Sequence, residues 1–158
     1  MRFFLIDRVI SFVPGVNARG VKAVSLSDEI LHDHFPDYPT MPGSLLLEGA
    51  AQLGGFLLEM STNRPGAPLC RALLVQVVDA RFYERVGPGE LVEISVEMGS
   101  TIGDATRVDA EVTHGTARAA RLTLTFVLKE IPSARVHEQR RRIYRLWTQD
   151  LDPRPEIL

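Results

Sequence analysis

The stretch SLLLEGAAQLGGFLLEMST, residues 44–62, decides the fold. From residue 45 to residue 60 its polar side chains are only three: Glu48, Gln52 and Glu59. A helix with so little polar surface is stable only when protein surrounds it on most sides. At 1.5 Å per residue it would be about 30 Å long, enough to cross a small domain. The sequence therefore predicts one central, buried helix.

The second half of the chain alternates apolar and polar residues, as half-buried strands do. The alternation occurs in three segments: LVEISVEM (91–98), RVDAEVT (107–113) and RLTLTFVL (121–128). Gly103-Asp104 and His114-Gly115 separate them, where tight hairpin turns are expected. The pattern predicts an antiparallel meander with one solvated face and one apolar face. We expect this sheet to curve around the central helix, which gives an α+β fold.

Other segments complete the predicted domain. RFFLIDRVISFV (2–13) and ARGVKAV (18–24) flank the turn signal Pro14-Gly15 and are expected to form a strand pair. LLVQVV (73–78) is expected to be a further strand, and VGPGE (86–90) a loop. Residues 28–32 are predicted to form a helical turn with Ser27 as its cap.

We expect one domain, residues 1–130, followed by a C-terminal extension, residues 131–158. Pro132 ends the last strand, because proline cannot donate to the ladder. The segment VHEQRRRIYRLWTQ (136–149) is predicted to be a short basic amphipathic helix. Its apolar side is expected to carry Ile143, Leu146 and Trp147.

Composition excludes several classes of function. With 158 residues and a formal net charge of −2, the protein has no global attraction for nucleic acid or an anionic membrane. The single cysteine, Cys70, excludes an internal disulfide framework and a multi-thiolate zinc site, and it fits a reducing compartment. Asp7 and Arg8 cut the N-terminal apolar run, and the helix carries two glutamates. We therefore expect no signal peptide and no membrane span, and predict a soluble, cytoplasmic protein.

The loop before the helix carries a histidine in a restricted setting. In HDHFPDYPTMPG (32–43), Pro36 and Pro39 stiffen the segment that contains His34. Gly43 lacks a side chain, so the first free N–H groups of the helix are open to a ligand oxygen. The loop thus supplies a positioned imidazole and hydrogen-bond donors.

The helix adds a carboxylate to these groups. Glu48 lies near the helix N terminus, where the helix dipole offsets part of the cost of burying a charge. Gln52, four residues further on, shares its face and can hydrogen-bond to it. A histidine, a carboxylate and a helix N terminus are the parts needed to remove a proton next to a carbonyl and stabilise the oxyanion.

The stretch HFPDYPTMPGSLLLEGAAQ (34–52) resembles the signature of the 3-hydroxyacyl-[acyl-carrier-protein] dehydratases of bacterial fatty-acid synthesis. That signature has His-Phe-Pro, two variable residues, Pro, then Met-Pro-Gly, a short apolar run, Glu and Ala-Gln. His34 and Glu48 are 14 residues apart (48 − 34), the family's spacing for its catalytic pair. The similarity extends through ARFYERVGPGELVEI (80–94) and covers about residues 2–128. The resemblance implies the hotdog fold, a curved antiparallel sheet around one central helix.

Carried over residue by residue, the resemblance implies that His34 takes the proton from C2 of an acyl thioester. Glu48 would help the C3 hydroxyl to leave as water, directly or through a bound water. The amide of Gly43 would bind the thioester carbonyl, and the acyl chain would lie in an apolar tunnel beside the helix. The substrate-binding residues implied are Gly43, Ser44, Leu45, Gln52 and Phe82. No cofactor and no metal is implied.

The implied reaction converts a (3R)-3-hydroxyacyl thioester to the trans-2-enoyl thioester. The carrier would be acyl carrier protein, with coenzyme A as the other possibility. Relatives that also isomerise the double bond have aspartate at position 48, so Glu48 points to plain dehydration. The family builds its site across a dimer, so a homodimer is implied and a trimer of dimers is allowed.

Several features keep other interpretations open. Asp33 stands where the family has glycine, and it could orient the imidazole or cap the preceding turn. His32 and His34 resemble a metal pair, but two loop histidines without a further clear ligand are weak evidence. The Arg140–Arg142 run suits an acidic carrier protein, and equally a solvated helix face that docks Trp147. The alternative functions are a hotdog thioesterase and a non-catalytic acyl-carrier or assembly module.

Overall fold

The computed structural model describes residues 4–158 and contains six strands and three helices in that range. The strands are β1 (Arg8–Val13), β2 (Asn17–Ala23), β3 (Cys70–Phe82), β4 (Leu91–Ile102), β5 (Ala105–His114) and β6 (Ala117–Glu130). The helices are α1 (Ile30–Asp33), α2 (Gly43–Thr62) and α3 (Ala134–Trp147). All strand pairs are antiparallel, and the sheet order is β1-β2-β4-β5-β6-β3.

The helix α2 packs against the sheet and forms the centre of the core. Leu53, Phe56 and Leu57 on this helix have no exposed surface. Two glycines let the sheet approach closely. A Cβ on Gly49 would lie 2.9 Å from Cδ1 of Ile94 on β4, and one on Gly54 would lie 3.3 Å from the Phe126 ring on β6. The predicted central buried helix is confirmed, one residue longer at its N terminus.

The predicted meander is also confirmed. The inward positions of the three alternating segments are buried: Val92, Ile94 and Val96 on β4, Val108 and Val112 on β5, and Leu122 and Leu124 on β6. Gly103 and Gly115 adopt φ of 63° and 55° in the two hairpin turns. This left-handed conformation costs glycine little. The expected strand at 73–78 lies within β3, and residues 86–90 form the expected loop.

The N-terminal segment differs in part from its prediction. The expected pairing across Pro14-Gly15 is present as β1 and β2, but the first strand begins only at Arg8. Residues 1–3, where the predicted strand and domain begin, lie outside the described residues. Leu5 is in no strand, and its backbone N–H donates to Oε1 of Gln52 at 3.0 Å.

Two smaller predictions are wrong. Ser27 does not cap the helical turn. Its hydroxyl lies 2.8 Å from that of Ser25, and α1 begins after Glu29 without a side-chain cap. On α3, Leu146 is 56% exposed, and Tyr144 is buried beside Ile143 and Trp147 instead. Tyr144 reaches a buried acceptor on α2, which fixes the rotation of α3.

That acceptor is Glu59, which lies in the core with 1% of its surface exposed. Its carboxylate accepts hydrogen bonds of 2.9 Å from three donors: Nη1 of Arg71, the backbone N–H of Ala72 and the hydroxyl of Tyr144. A buried charge is tolerated only when it is paired and hydrogen-bonded, as Glu59 is. The network joins α2, β3 and α3, so it ties the C-terminal extension to the sheet and the central helix.

Tyr144→Phe is expected to lower the free energy of unfolding by about 1.5–3 kcal/mol, the usual contribution of a hydrogen bond to a charged group. Burial and the neighbouring Glu59 charge raise the pKa of the Tyr144 hydroxyl. The folded state therefore keeps this proton above pH ~10, where an unfolded tyrosine loses it. The stabilisation by this group should be fully present below pH ~10 and be lost as the pH rises further. In Tyr144→Phe the free energy of unfolding should therefore decrease less above pH ~10 than in the wild type. Urea unfolding between pH 7 and 11 measures both effects.

Tyr38→Phe is the matched control because that ring is 61% exposed. An equal loss of stability in both variants would contradict the assigned role of Tyr144.

Within residues 4–158, no helix combines the length and apolar character needed to cross a bilayer.

Candidate active site

The loop between α1 and α2 holds His34 through one neighbour, Thr40. The backbone N–H of Thr40 donates to the His34 carbonyl at 2.7 Å. The Thr40 carbonyl lies 2.9 Å from Nδ1 of the imidazole. A carbonyl only accepts, so in the neutral ring Nδ1 carries the hydrogen and Nε2 presents a lone pair. The imidazole is therefore held as the tautomer that can take a proton at Nε2.

Contacts around the loop keep its shape. Nη1 of Arg85 donates to the Pro39 carbonyl at 2.9 Å, and the same guanidinium lies 4.6 Å from the centre of the Tyr38 ring. The His34 ring stacks on Phe35 at 4.2 Å between centroids. Nδ1 of His34 is bonded to Thr40, so this nitrogen is not the point at which Asp33 orients the ring.

Glu48 and Gln52 form a chain of hydrogen bonds on α2. Nε2 of Gln52 donates to Oε1 of Glu48 at 3.0 Å, and Oε1 of Gln52 accepts from the Leu5 backbone N–H at 3.0 Å. The backbone thereby fixes the orientation of the amide, and the amide fixes one carboxylate oxygen. The i, i+4 spacing in the sequence predicts this contact, and the structure contains it.

The N terminus of α2 lies against Phe82 at the end of β3. A Cβ on Gly43 would be 2.9 Å from Cε1 of that ring, closer than carbon atoms can pack. The helix begins after Pro42 without a side-chain cap. At this helix end the Leu45 and Leu46 N–H groups donate to the Pro42 carbonyl, and the Phe82 ring lies beside Gly43.

The cavity that contains Glu48 is lined by only some of the predicted site residues. A cavity of about 540 Å³ has Glu48 and Gln52 in its wall. The other predicted residues do not line it: His34, Gly43, Ser44, Leu45 and Phe82. Ser44 is exposed and Leu45 is half-buried against the core. Of the predicted catalytic pair, Glu48 lines this cavity of the described chain and His34 does not.

Sequence reasoning missed two parts of this region. Thr40 holds the His34 ring through its backbone carbonyl, and no residue-type pattern signals such a contact. The C-terminal helix α3 lines the cavity that contains Glu48. Its apolar spacing signals that it docks, but not where. The described residues include no group of three or more histidine, cysteine, aspartate or glutamate side chains placed to hold a metal ion.

Gly43→Ala is expected to lower turnover roughly 10–100-fold, because displacements of about 1 Å at a reacting centre have effects of this size. The added methyl must displace the Phe82 ring. That ring is half-exposed and can move, so the melting temperature should change little. Steady-state kinetics and thermal melting measure the two effects.

Combining Gly43→Ala with Phe82→Ala identifies the cause of the expected loss of turnover. If displacement of the ring is responsible, Gly43→Ala should have little further effect in the Phe82→Ala protein. If the methyl itself blocks the helix N terminus, the loss should persist in that background. A large fall in melting temperature with unchanged turnover would contradict a role for Gly43 in the site.

Comparison with known proteins identifies the family. A family model described as the FabA-like domain matches residues 1–122. The 3-hydroxyacyl-[acyl-carrier-protein] dehydratase FabZ of Exiguobacterium sibiricum is 34% identical over 128 residues, covering 80% of this chain and 89% of that protein. The FabZ of Natranaerobius thermophilus is 36% identical over 126 residues, covering 80% and 87%. The chain therefore belongs to the FabA-like family, as its signature predicts.

Solved structures confirm the fold. A Streptococcus mutans protein bound to acetyl-CoA matches with a TM-score of 0.64 at 18% identity, covering 84% of this chain and 96% of that one. A hot-dog-like protein from Thermanaerovibrio acidaminovorans matches with a TM-score of 0.61 at 20% identity, covering 82% and 90%. At these identities the likeness establishes the fold alone. It is the hotdog fold predicted from the sequence.

Proposed function

We propose that this protein is a 3-hydroxyacyl-[acyl-carrier-protein] dehydratase, a hydro-lyase. One observation carries the proposal: the carboxylate of Glu48 is held by Gln52 in the wall of a cavity large enough for a small-molecule ligand. The named FabZ relatives, which match across most of the chain, support the same activity. The substrate is a (3R)-3-hydroxyacyl thioester and the product is the trans-2-enoyl thioester. The single cysteine fits a reducing, cytoplasmic location.

His34 is the general base of the proposed mechanism. Its Nδ1 hydrogen is engaged by the Thr40 carbonyl, so Nε2 is the nitrogen that accepts the C2 proton. The electron pair of the C2–H bond forms the C2–C3 double bond. The C3–O bond breaks, and the hydroxyl leaves as water with the proton of the Glu48 carboxyl group. The proton taken by His34 then returns through solvent to Glu48, which restores both groups for the next turnover.

The N terminus of α2 stabilises the charge that develops on the thioester oxygen. The Gly43 N–H is the proposed donor, with the dipole of a 20-residue helix behind it. This donor lies on the same helix as Glu48, five residues earlier (48 − 43).

The proposed active unit is a homodimer, in which His34 of one protomer faces Glu48 of its partner. The edge strand β3 supports this proposal. Within residues 4–158 it pairs along one edge only, with β6, and it exposes the apolar side chains of Leu73, Leu74, Val75, Val77 and Val78. An exposed apolar edge of this length is a template for pairing with another strand. A second copy of β3 would cover it and bring a second loop to the cavity. A trimer of dimers remains compatible with this pairing.

A direct assay of the wild-type protein tests the proposal. Short and medium 3-hydroxyacyl thioesters, presented on acyl carrier protein and on coenzyme A, are incubated with it. The absorbance of the conjugated enoyl thioester reports dehydration, and a thiol reagent reports hydrolysis. We expect enoyl thioester without free thiol. Thiol release without enoyl product would identify a thioesterase, and tight carrier binding without reaction would identify a non-catalytic module.

A further inference from the structure

The cavity that contains Glu48 has walls from several parts of the chain. The helix α2 contributes Glu48, Ala51 and Gln52, and β3 contributes Ala72, Leu73 and Leu74. The remaining wall is largely α3, which lies beyond the 122 residues that the family model matches. This wall is therefore a feature of this chain outside the part that defines its family.

The lining residues of α3 form one continuous stripe: Val136, Gln139, Arg140, Ile143, Tyr144 and Trp147. Their spacing, i, i+3, i+4, i+7, i+8 and i+11, is that of a single helical face. From the first to the last the stripe is about 16 Å long at 1.5 Å per residue. Nearly the whole length of α3 thus faces the cavity rather than touching it at one end.

The anchoring of α3 makes this wall rigid. Tyr144 donates its hydrogen bond to Glu59, and Trp147 is 2% exposed. The Phe56 ring of α2 lies edge-on to Tyr144, with 5.0 Å between ring centroids. At the other end, the backbone N–H of Val136 donates to the side chain of Ser133, which caps the helix. The helix therefore cannot move aside to make room for a larger side chain on the face that lines the cavity.

We infer that α3 forms the wall against which the acyl chain of the substrate lies, and that its side chains set the acyl-chain length the enzyme accepts. The inference rests on the proposed function, because it takes Glu48 as the group that acts at C3. The acyl chain beyond C3 must continue from Glu48 into the same cavity. The residues that line the far wall therefore determine how many carbons fit.

Val136→Phe and Gln139→Phe test the inference by adding bulk to the wall. Both positions lie in the half of α3 that is not buried in the core, so these variants should fold. We expect the ratio of kcat/KM for a twelve-carbon to that for a four-carbon 3-hydroxyacyl thioester to fall at least tenfold. Leu146→Phe is the matched control, because Leu146 lies on the exposed side of α3 and should leave the ratio unchanged.

A binding measurement separates this inference from the proposed function. Saturated acyl-pantetheine thioethers of four to twelve carbons cannot react, and calorimetry gives their affinities for each variant. A loss of affinity confined to the longer chains in Val136→Phe and Gln139→Phe supports the inference, even if the wild type dehydrates nothing. An equal loss at every length, or the same change in Leu146→Phe, would overturn it. Absence of dehydration by the wild type alone would overturn only the proposed function.

Discussion

His34→Ala is expected to lower kcat/KM for enoyl-thioester formation about 10²–10⁴-fold, the range that a positioned general base contributes. The substitution removes the imidazole that the Thr40 carbonyl orients through Nδ1. Alanine leaves the C2 proton without an acceptor. Initial rates on a four-carbon 3-hydroxyacyl thioester measure the effect.

His32→Ala is the matched control, because His32 is exposed and two residues away on the same segment. It should retain nearly the full rate. The His34 side chain contributes one hydrogen bond and a ring contact, so His34→Ala should remain folded, which thermal melting checks. A folded His34→Ala protein that keeps its rate, or equal losses in both variants, would remove His34 from the mechanism.

The core could be predicted from the sequence because each of its elements has one strong period. The helix at 44–62 has almost no polar side chain, and the strands at 91–128 place an apolar residue at every second position. Both patterns leave only one way to bury the apolar surface. Glycines in the hairpin turns then fix where each strand reverses.

The sequence could not identify contacts that depend on tertiary distance. A buried Glu59 requires a partner, but the chain contains sixteen arginines, and only the fold selects Arg71. The face of α3 was predicted with Leu146 inward because Leu146 fits the apolar spacing. The structure turns Tyr144 inward instead, since its hydroxyl reaches Glu59. The buried hydrogen bond of Tyr144 therefore sets the rotation of α3 about its axis, which the apolar spacing alone does not determine.

The candidate site likewise has features that the sequence predicts and features that depend on tertiary structure. The contact between Glu48 and Gln52 follows from helical spacing, and the position of Gly43 at the helix N terminus follows from the loop sequence. The 14-residue separation of His34 and Glu48 does not bring His34 to the cavity that Glu48 lines in the described chain. In the proposed homodimer the two groups come from different protomers, and contacts between two copies of a chain leave no spacing pattern within one sequence.

Glu48→Gln is expected to lower kcat/KM by about 10²–10⁴-fold, because the amide keeps the shape of the side chain and cannot transfer the carboxyl proton. Oxygen Oε1 at this position can still accept from Nε2 of Gln52, so the fold and the cavity should be retained. Glu97→Gln, on an exposed position of β4, is the matched control and should keep the wild-type rate. Initial rates and melting temperatures measure the comparison. A fully active Glu48→Gln protein would exclude the carboxylate from the reaction.

The two inactive variants together test where the site is built. If His34 of one protomer acts with Glu48 of its partner, a mixed dimer of His34→Ala and Glu48→Gln chains contains one complete site and one site lacking both groups. Random pairing of equal amounts makes about half of the dimers mixed, so co-refolding should restore about a quarter of the wild-type activity. Each variant refolded alone should stay inactive. If both groups act within one chain, every site in the mixture lacks one of them, and no activity should return.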